Sequence, residues 1–389
     1  MQDEFALFVI FVIFTGAAVL GGIALYARQS LLVAYIALGV LLGPSVAGLV
    51  QDPAIIQGVG HIGIIFLLFL LGLNLHPQKL LHMLRDATIV TLVSSIVFAA
   101  CGALIAVLFG FALLESLLIG CMMMFSSTII GLKLLPTTAL HHRRMGEIII
   151  SVLLLQDVIA LVMLVVLEGH ASAAGRWGQI ALLLLTLPGV AVLACALERF
   201  LLNRLIARFD TIQEYVFLVA IGWCVGFAQL GATLGLSYEM GAFIAGVALA
   251  TSRISTHIAE SLKPLRDFFL IMFFFSLGAS FELSVLPDVA VPACVLAGTM
   301  LMLKPFVFRK LLVRMGEGRK LATEIGGRLG QTSEFSLLIA VVATQAGVLS
   351  LRASYLIQAA VLITFIVSSY LIMLRFPTPI AVSARLRRD

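Results

Sequence analysis

Stretches of about twenty mostly apolar residues, each long enough to cross a bilayer as a helix, recur from Phe5 to Met373 with only short breaks between them. A chain built this way has little choice of fold. Within hydrocarbon every backbone amide and carbonyl must be satisfied internally, and a helix achieves this within one segment. Thirteen candidate spans emerge, at 5–26, 30–50, 55–75, 87–110, 113–136, 147–168, 178–202, 213–231, 236–252, 265–284, 289–308, 322–346 and 353–374. The expectation is an all-α polytopic membrane protein with one transmembrane domain over 1–376 and a short basic tail at 377–389. Composition agrees: 61% of residues are hydrophobic and 12% charged. No segment is left for a soluble enzyme domain. The first stretch follows the acidic Met1-Gln2-Asp3-Glu4 rather than a basic leader, so it reads as a retained helix and not as a signal peptide.

The loops alternate in charge. Arg28, Lys79, Arg85, Arg143, Arg144, Arg199, Arg204 and Arg208 fall on one side. Arg253, Lys263, Arg266, Arg309, Lys310, Arg314, Arg319, Lys320, Arg375, Arg385, Arg387 and Arg388 join them. The opposite loops hold Arg176 and Arg352 alone. The positive-inside rule puts the basic side in the cytoplasm, with the N-terminus outside and the C-terminus inside. That arrangement needs an odd number of spans, as counted. Because the positive charge lies in short loops between spans, it points to membrane orientation and lipid contact, not to nucleic acid.

A weak internal repeat runs at an offset near 206. Leu71-Gly72-Leu73-Asn74-Leu75 resembles Leu277-Gly278-Ala279-Ser280-Phe281, and Ala37-Leu38-Gly39-Val40-Leu41 resembles Ile244-Ala245-Gly246-Val247-Ala248. Ser127-Thr128 aligns with Thr332-Ser333. An odd number of spans between the copies makes the repeat inverted. Inverted repeats are common in secondary transporters, whose ion sites lie near the midplane at the repeat interface.

Charge inside a span is costly, about 2.5–3.5 kcal/mol at mid-bilayer on insertion scales. Asp157 is the clearest case, ten residues into a span that reads Val152-Leu153-Leu154-Leu155-Gln156-Asp157-Val158-Ile159-Ala160-Leu161. Ten residues rise about 15 Å, half the hydrocarbon thickness. A carboxylate there can take a proton or pair with a cation in turn, the minimal part of a cation/proton exchanger. The other reading is a structural aspartate hydrogen-bonded to a neighbouring helix. Lys304, followed by Pro305, either joins a buried ion pair or snorkels toward the surface near Arg309.

Two spans are interrupted by polar residues, at Met124-Phe125-Ser126-Ser127-Thr128-Ile129-Ile130-Gly131 and at Gly326-Gly327-Arg328-Leu329-Gly330-Gln331-Thr332-Ser333-Glu334-Phe335. Glycine and short hydroxyl residues permit local unwinding, which turns carbonyls and half-helix ends toward an ion. Small-residue helix packing is the alternative. Arg328 and Glu334 bring charge there, on different faces if the helix is continuous. Glu239 lies near the outer boundary of its span, suiting an interfacial role. His141-His142-Arg143-Arg144 is a charge run that sets topology, with pH sensing as the other use of its histidines. The five cysteines, Cys101, Cys121, Cys195, Cys224 and Cys294, lie in apolar runs without metal-ligand spacing.

Taken together, Phe125-Ser126-Ser127-Thr128, Leu155-Gln156-Asp157, Met240-Gly241-Ala242-Phe243-Ile244-Ala245-Gly246-Val247, Phe273-Phe274-Phe275-Ser276-Leu277-Gly278 and Gly330-Gln331-Thr332-Ser333-Glu334-Phe335 resemble a known family. It is the membrane domain of the monovalent cation:proton antiporter-2 family, in its Kef-type potassium/proton branch. The Gln156-Asp157 pair is the most telling mark, since sodium-type electrogenic relatives carry two adjacent acids there. The resemblance implies thirteen helices in a homodimer in a bacterial cytoplasmic (inner) membrane. It implies a dimerisation domain of spans 1–2 and 8–9, a linker at span 7, and a core of spans 3–6 and 10–13 that moves like an elevator. Two crossed, unwound helices lie within that core. Asp157 would bind cation and proton alternately, with Gln156, Ser127 and Thr128 at the site. Lys304, Arg328, Gln331, Thr332, Ser333 and Glu334 would support it.

The sequence departs from the Kef pattern in two places. Full Kef systems continue into a cytoplasmic nucleotide-binding domain that senses glutathione adducts, whereas this sequence ends at Arg387-Arg388-Asp389. Either the protein lacks that domain or the sequence is part of a longer chain, with a cytoplasmic regulatory domain or subunit as partner. The loop Ala259-Glu260-Ser261-Leu262-Lys263-Pro264-Leu265 is less acidic than the family's regulatory loop. Thr332-Ser333 also stand where many relatives have glycines, so the second break is expected to unwind less freely.

The leading expectation is potassium/proton exchange without a cofactor, the transported species being a monovalent cation, potassium favoured over sodium, and H⁺. With Gln156 neutral, one proton per cation gives electroneutral exchange, while a Lys304 that deprotonated during the cycle would add charge movement. Sodium/proton exchange is the alternative within transport. A gated potassium channel is the alternative of another class, although no repeated carbonyl filter signature is present.

Overall fold

A computed structural model describes residues 2–27, 29, 31–50, 54–74, 77–127, 144–171, 176–209, 212–234, 236, 238–250, 252 and 255–376. Those residues form helices and connections. Helices α1 (Gln2–Tyr26), α2 (Leu31–Leu42), α3 (Ala54–Asn74), α4 (Pro77–Leu108) and α5 (Leu113–Met124) come first. Then follow α6 (Arg144–Ala171), α7 (Arg176–Leu197), α8 (Asn203–Phe209), α9 (Gln213–Thr233), α10 (Tyr238–Leu249) and α11 (Ser255–Ala279). The last are α12 (Leu286–Arg314), α13 (Arg319–Arg328), α14 (Glu334–Gln345) and α15 (Leu351–Arg375). Among the described residues seven helical stretches are long and apolar enough to cross a membrane, and shorter apolar helices accompany them. The helical membrane architecture is therefore the one expected. The first apolar stretch is a single helix, α1.

Several boundaries differ from the expected spans. Span 322–346 is two helices, α13 and α14, separated by five non-helical residues. The expected loop 259–265 is helical and belongs to α11. Its charged residues and Pro264 mimic a loop in sequence, but Ile258, Ala259 and Leu262 are buried at helical spacing and hold the segment in register. Between α7 and α8 the helix continues through a π-type segment, Glu198–Leu202. Where the chain turns sharply, glycine supplies the left-handed backbone: Gly316 (φ 95°) ends α12 and Gly347 (φ 70°) ends α14.

The chain divides into two compact units. The first comprises Met1–Ala18, Tyr35–Leu81 and Glu168–Ser280. Here α3 lies against α10 and α11, and α9 lies against α10. Glycine explains the closeness. A Cβ at Gly246 of α10 would overlap the Phe69 carbonyl oxygen of α3, and one at Gly278 of α11 would overlap the carbonyl oxygen of Ile36 on α2. Without hydrophobic driving force between helices in lipid, backbone approach of this kind is what holds spans together. Trp223 of α9 donates its indole N–H to the Ala245 carbonyl at 3.1 Å.

The second unit comprises Val19–Ala34, His82–Leu167 and Phe281–Asp389. In it α12 lies against α13 and α15, while α14 and α5 both lie against α15. All the candidate site residues belong to this unit.

Candidate ion site

Helix α5 stops at Met124 because Phe125 is extended (φ −72°, ψ 145°), and residues 125–127 are outside any helix. A helix that stops inside a membrane leaves carbonyls and amides that water cannot reach. Gln156, fully buried on α6, answers two of them. Its Oε1 accepts the Ser126 N–H at 2.9 Å, and its Nε2 donates to the Met124 carbonyl at 3.1 Å. One side-chain amide thereby replaces one rung of the lost helical ladder. Both ends of the Gln156 amide are engaged with backbone.

The second break lies between α13 and α14. Ser126 Oγ donates to the Leu329 carbonyl at 3.0 Å, which joins the two breaks directly. Gln331 Nε2 donates to the Arg328 carbonyl at 2.8 Å and reaches the Ser127 carbonyl at 3.4 Å. Ser333 caps α14, its Oγ accepting the Phe335 N–H at 3.1 Å. Ser336 Oγ on α14 donates to the Met122 carbonyl of α5 at 2.5 Å. The Thr332 N–H is accepted by Thr364 Oγ1 of α15 at 3.1 Å. The break therefore unwinds despite lacking glycine at 332 and 333, contrary to the expectation. Side-chain hydroxyls satisfy the amides that unwinding releases, so backbone freedom is not what the site requires.

Lys304 is fully buried on α12. Its ammonium donates to the Phe125 carbonyl at 2.6 Å and to the Gln331 carbonyl at 3.1 Å, and sits 5.5 Å from the Phe98 ring centroid. It does not snorkel. The Phe125 carbonyl belongs to the C-cap of α5, whose C-terminal end carries a partial negative charge, and the Gln331 carbonyl lies in the non-helical connection between α13 and α14. Lys304 is a cation that both carbonyls accept from. This contrasts with the carboxylate ion pair considered from sequence.

Asp157, directly after Gln156 and near the middle of the 28-residue α6, is 2% exposed. Successive helix residues diverge by about 100°, so the two share a level on α6 but not a direction. Ser127 is fully buried in the first break. Thr128, His141 and His142 lie outside the described residues, as does the tail from 377. The Glu239 side chain is likewise outside what is described, although its backbone lies in the first turn of α10.

Arg328, at the end of α13, is fully buried and pairs with Glu324 at 2.8 Å. The guanidinium carbon also lies 5.7 Å from the Phe376 ring centroid. Glu324 was missed in sequence, although its i,i+4 spacing to Arg328 is a usable signal. Thr364 and Ser368 were missed too. Ser368 Oγ donates to Gln331 Oε1 at 3.0 Å. Their only signal is the recurrence of hydroxyls along one apolar helix.

Two non-helical segments cross-linked through their freed backbone, with a buried acid in the same unit, are the kind of arrangement from which secondary transporters build ion sites. Residues 7–374 match the family model described as sodium/hydrogen exchanger, transmembrane, and the chain belongs to that family. It is 31% identical over 345 residues to the glutathione-regulated potassium-efflux system protein KefC of Escherichia coli, covering 86% of this chain and 54% of that protein. To K(+) efflux antiporter 6 of Arabidopsis thaliana it is 28% identical over 339 residues, covering 83% and 55%. The chain spans about half the length of the curated relatives it matches. Its fold is similar to the sodium proton antiporter MjNhaP1 of Methanocaldococcus jannaschii (TM-score 0.72, 16% identity, 96% of this chain and 97% of that one). The Kef resemblance read from the Gln156-Asp157 pair and its companion motifs is thus upheld.

Proposed function

We propose that the protein exchanges a monovalent cation, potassium in preference to sodium, for a proton, with Asp157 binding each in turn. What carries this reading is Asp157 itself, an acid 2% exposed and set beside the glutamine that clamps the first break. Burial penalises the charged form of a carboxylate there, and a bound proton or a bound cation offsets that cost. The two occupants exclude each other, which is the coupling an antiporter requires. The Gln156 amide is spent on backbone, the Gln331 amide on backbone carbonyls and the Ser368 hydroxyl, and Lys304 on carbonyls. Asp157 is the proposed anionic ligand, with Ser127 and Thr128 as neutral neighbours. With Gln156 neutral beside it, Asp157 acting alone as the exchanging acid gives one proton per cation and electroneutral exchange.

The potassium preference rests on the relatives, which carry potassium efflux in their names; the family description favours sodium as the second reading. Spans 3–6 and 10–13, which include Asp157, are proposed as the moving core of an elevator cycle, with spans 1–2 and 8–9 for dimerisation and span 7 as linker. The protein is further proposed to work as a homodimer in a bacterial inner membrane, N-terminus outside and C-terminus inside. A cytoplasmic regulatory domain or subunit is a proposed partner.

The test is purified protein in proteoliposomes carrying an internal pH dye. Potassium, sodium, rubidium and lithium are added singly. Potassium, and rubidium after it, should collapse a proton gradient at the lowest concentrations, without dependence on membrane potential. Sodium ahead of potassium would reverse the ion assignment. A voltage-driven response would refute electroneutrality.

A further inference from the structure

Resting on that reading, we infer that Ser368 is a positioning residue for the cation site, acting through the side-chain amide of Gln331. Gln331 lies within the second break, and its amide has two possible orientations. The Arg328 carbonyl 2.8 Å from Nε2 can only accept, so the nitrogen must face it. The same nitrogen is 3.4 Å from the Ser127 carbonyl, the innermost described residue of the first break. The amide oxygen then points at Ser368 of α15, whose hydroxyl donates to it at 3.0 Å. Ser368 is thus the group that rewards this orientation at the oxygen end.

The consequence reaches Ser127, a proposed neighbour of the cation. Oriented as it is, the amide directs its N–H groups, not its oxygen, at the Ser127 and Arg328 carbonyls of the two breaks. Those N–H groups hold the Ser127 carbonyl and the last carbonyl of α13, so neither break can drift. Both residues are fully buried, where a misplaced polar atom finds no water to relieve it. Remove the Ser368 hydroxyl and Gln331 Oε1 loses its donor. The amide is then anchored at its nitrogen end alone, and its buried oxygen, left without that donor, shifts and loosens the 3.4 Å contact to the Ser127 carbonyl. The cation site changes its geometry although no residue touching the cation has been altered.

Ser369, the next residue, provides the control. It is buried as well, but its Oγ donates to the Phe365 carbonyl of its own helix at 2.8 Å. Loss of that hydroxyl removes a buried hydrogen bond of similar kind without touching Gln331.

The experiment measures initial rates of cation-driven proton exchange in proteoliposomes against cation concentration. It compares wild type, Ser368→Ala, Ser368→Thr, Ser369→Ala, Gln331→Leu and the Ser368→Ala/Gln331→Leu double variant. Ser368→Ala should raise the apparent KM roughly fivefold to tenfold, one buried hydrogen bond's worth, with less than about a twofold change in maximal rate. Ser369→Ala should leave KM at the wild-type value, and Ser368→Thr, which keeps the hydroxyl, should restore most of the affinity. In the Gln331→Leu background, Ser368→Ala should add nothing further. An unchanged KM in Ser368→Ala, an equal loss in Ser369→Ala, or additive losses in the double variant would each overturn the inference. If the wild type itself exchanges no cation, the antiporter reading fails instead, and that result is separable because it precedes any variant. Thermal unfolding of each variant in detergent completes the set. A fall in unfolding temperature matched by a fall in rate at constant KM would mark Ser368 as merely structural.

Discussion

The ammonium of Lys304 donates to the carbonyl of Phe125 at 2.6 Å, joining α12 to the point where α5 ends inside the membrane. It reaches the Gln331 carbonyl of the second break at the same time. One buried side chain therefore answers freed carbonyls of both breaks. A hydrogen bond to a charged donor contributes about 1.5–3 kcal/mol.

Lys304→Met should accordingly destabilise the protein by several kcal/mol, to be read as a lower unfolding temperature in detergent. Lys304→Gln keeps two N–H donors on a shorter arm and should lose less. Equal unfolding temperatures for the wild type and Lys304→Met would contradict the role assigned to the ammonium.

Gln156→Leu removes both anchors of the first break. The Ser126 N–H and the Met124 carbonyl are then buried without that partner, at about 1–3 kcal/mol each. Exchange should fall at least tenfold while Asp157 remains in place. Wild-type exchange in this variant would mean that the clamp is dispensable and that α5 ends where it does for another reason.

In the other unit, glycine sets how near the helices approach. Gly246→Ala would force a methyl onto the Phe69 carbonyl, whereas Gly222→Ala meets nothing within 4 Å. The first should cost about 1–3 kcal/mol by overpacking, and the second nothing, or a small gain from helix propensity. Thermal unfolding of the two variants side by side checks this. Equal effects would show that the close approach is not required.

Much of this was legible before the fold was seen. Asp157 stands out because a charge within an apolar run is expensive wherever the run lies. Ser126 and Ser127, with the 326–335 cluster, announced breaks because polar and glycine residues interrupt otherwise uniform spans. What Gln156 does was not legible, since its partners lie thirty residues away on another helix and no local pattern encodes them. Lys304 was ambiguous for the same reason: carbonyl partners leave no trace in sequence, while a carboxylate partner would have. Thr364 and Ser368 were invisible because isolated hydroxyls are ordinary in membrane helices. The helical start of α11 was misread because Glu260, Lys263 and Pro264 look like a loop. Burial of Ile258 and Leu262 outweighs that local signal.

The most direct test of the account is Asp157→Asn in proteoliposomes, with proton movement followed after addition of potassium. Asparagine keeps the size and polarity of the side chain but can neither release a proton nor neutralise a cation. The account predicts a folded protein whose potassium-driven proton exchange is abolished. Exchange at the wild-type rate in Asp157→Asn would contradict it.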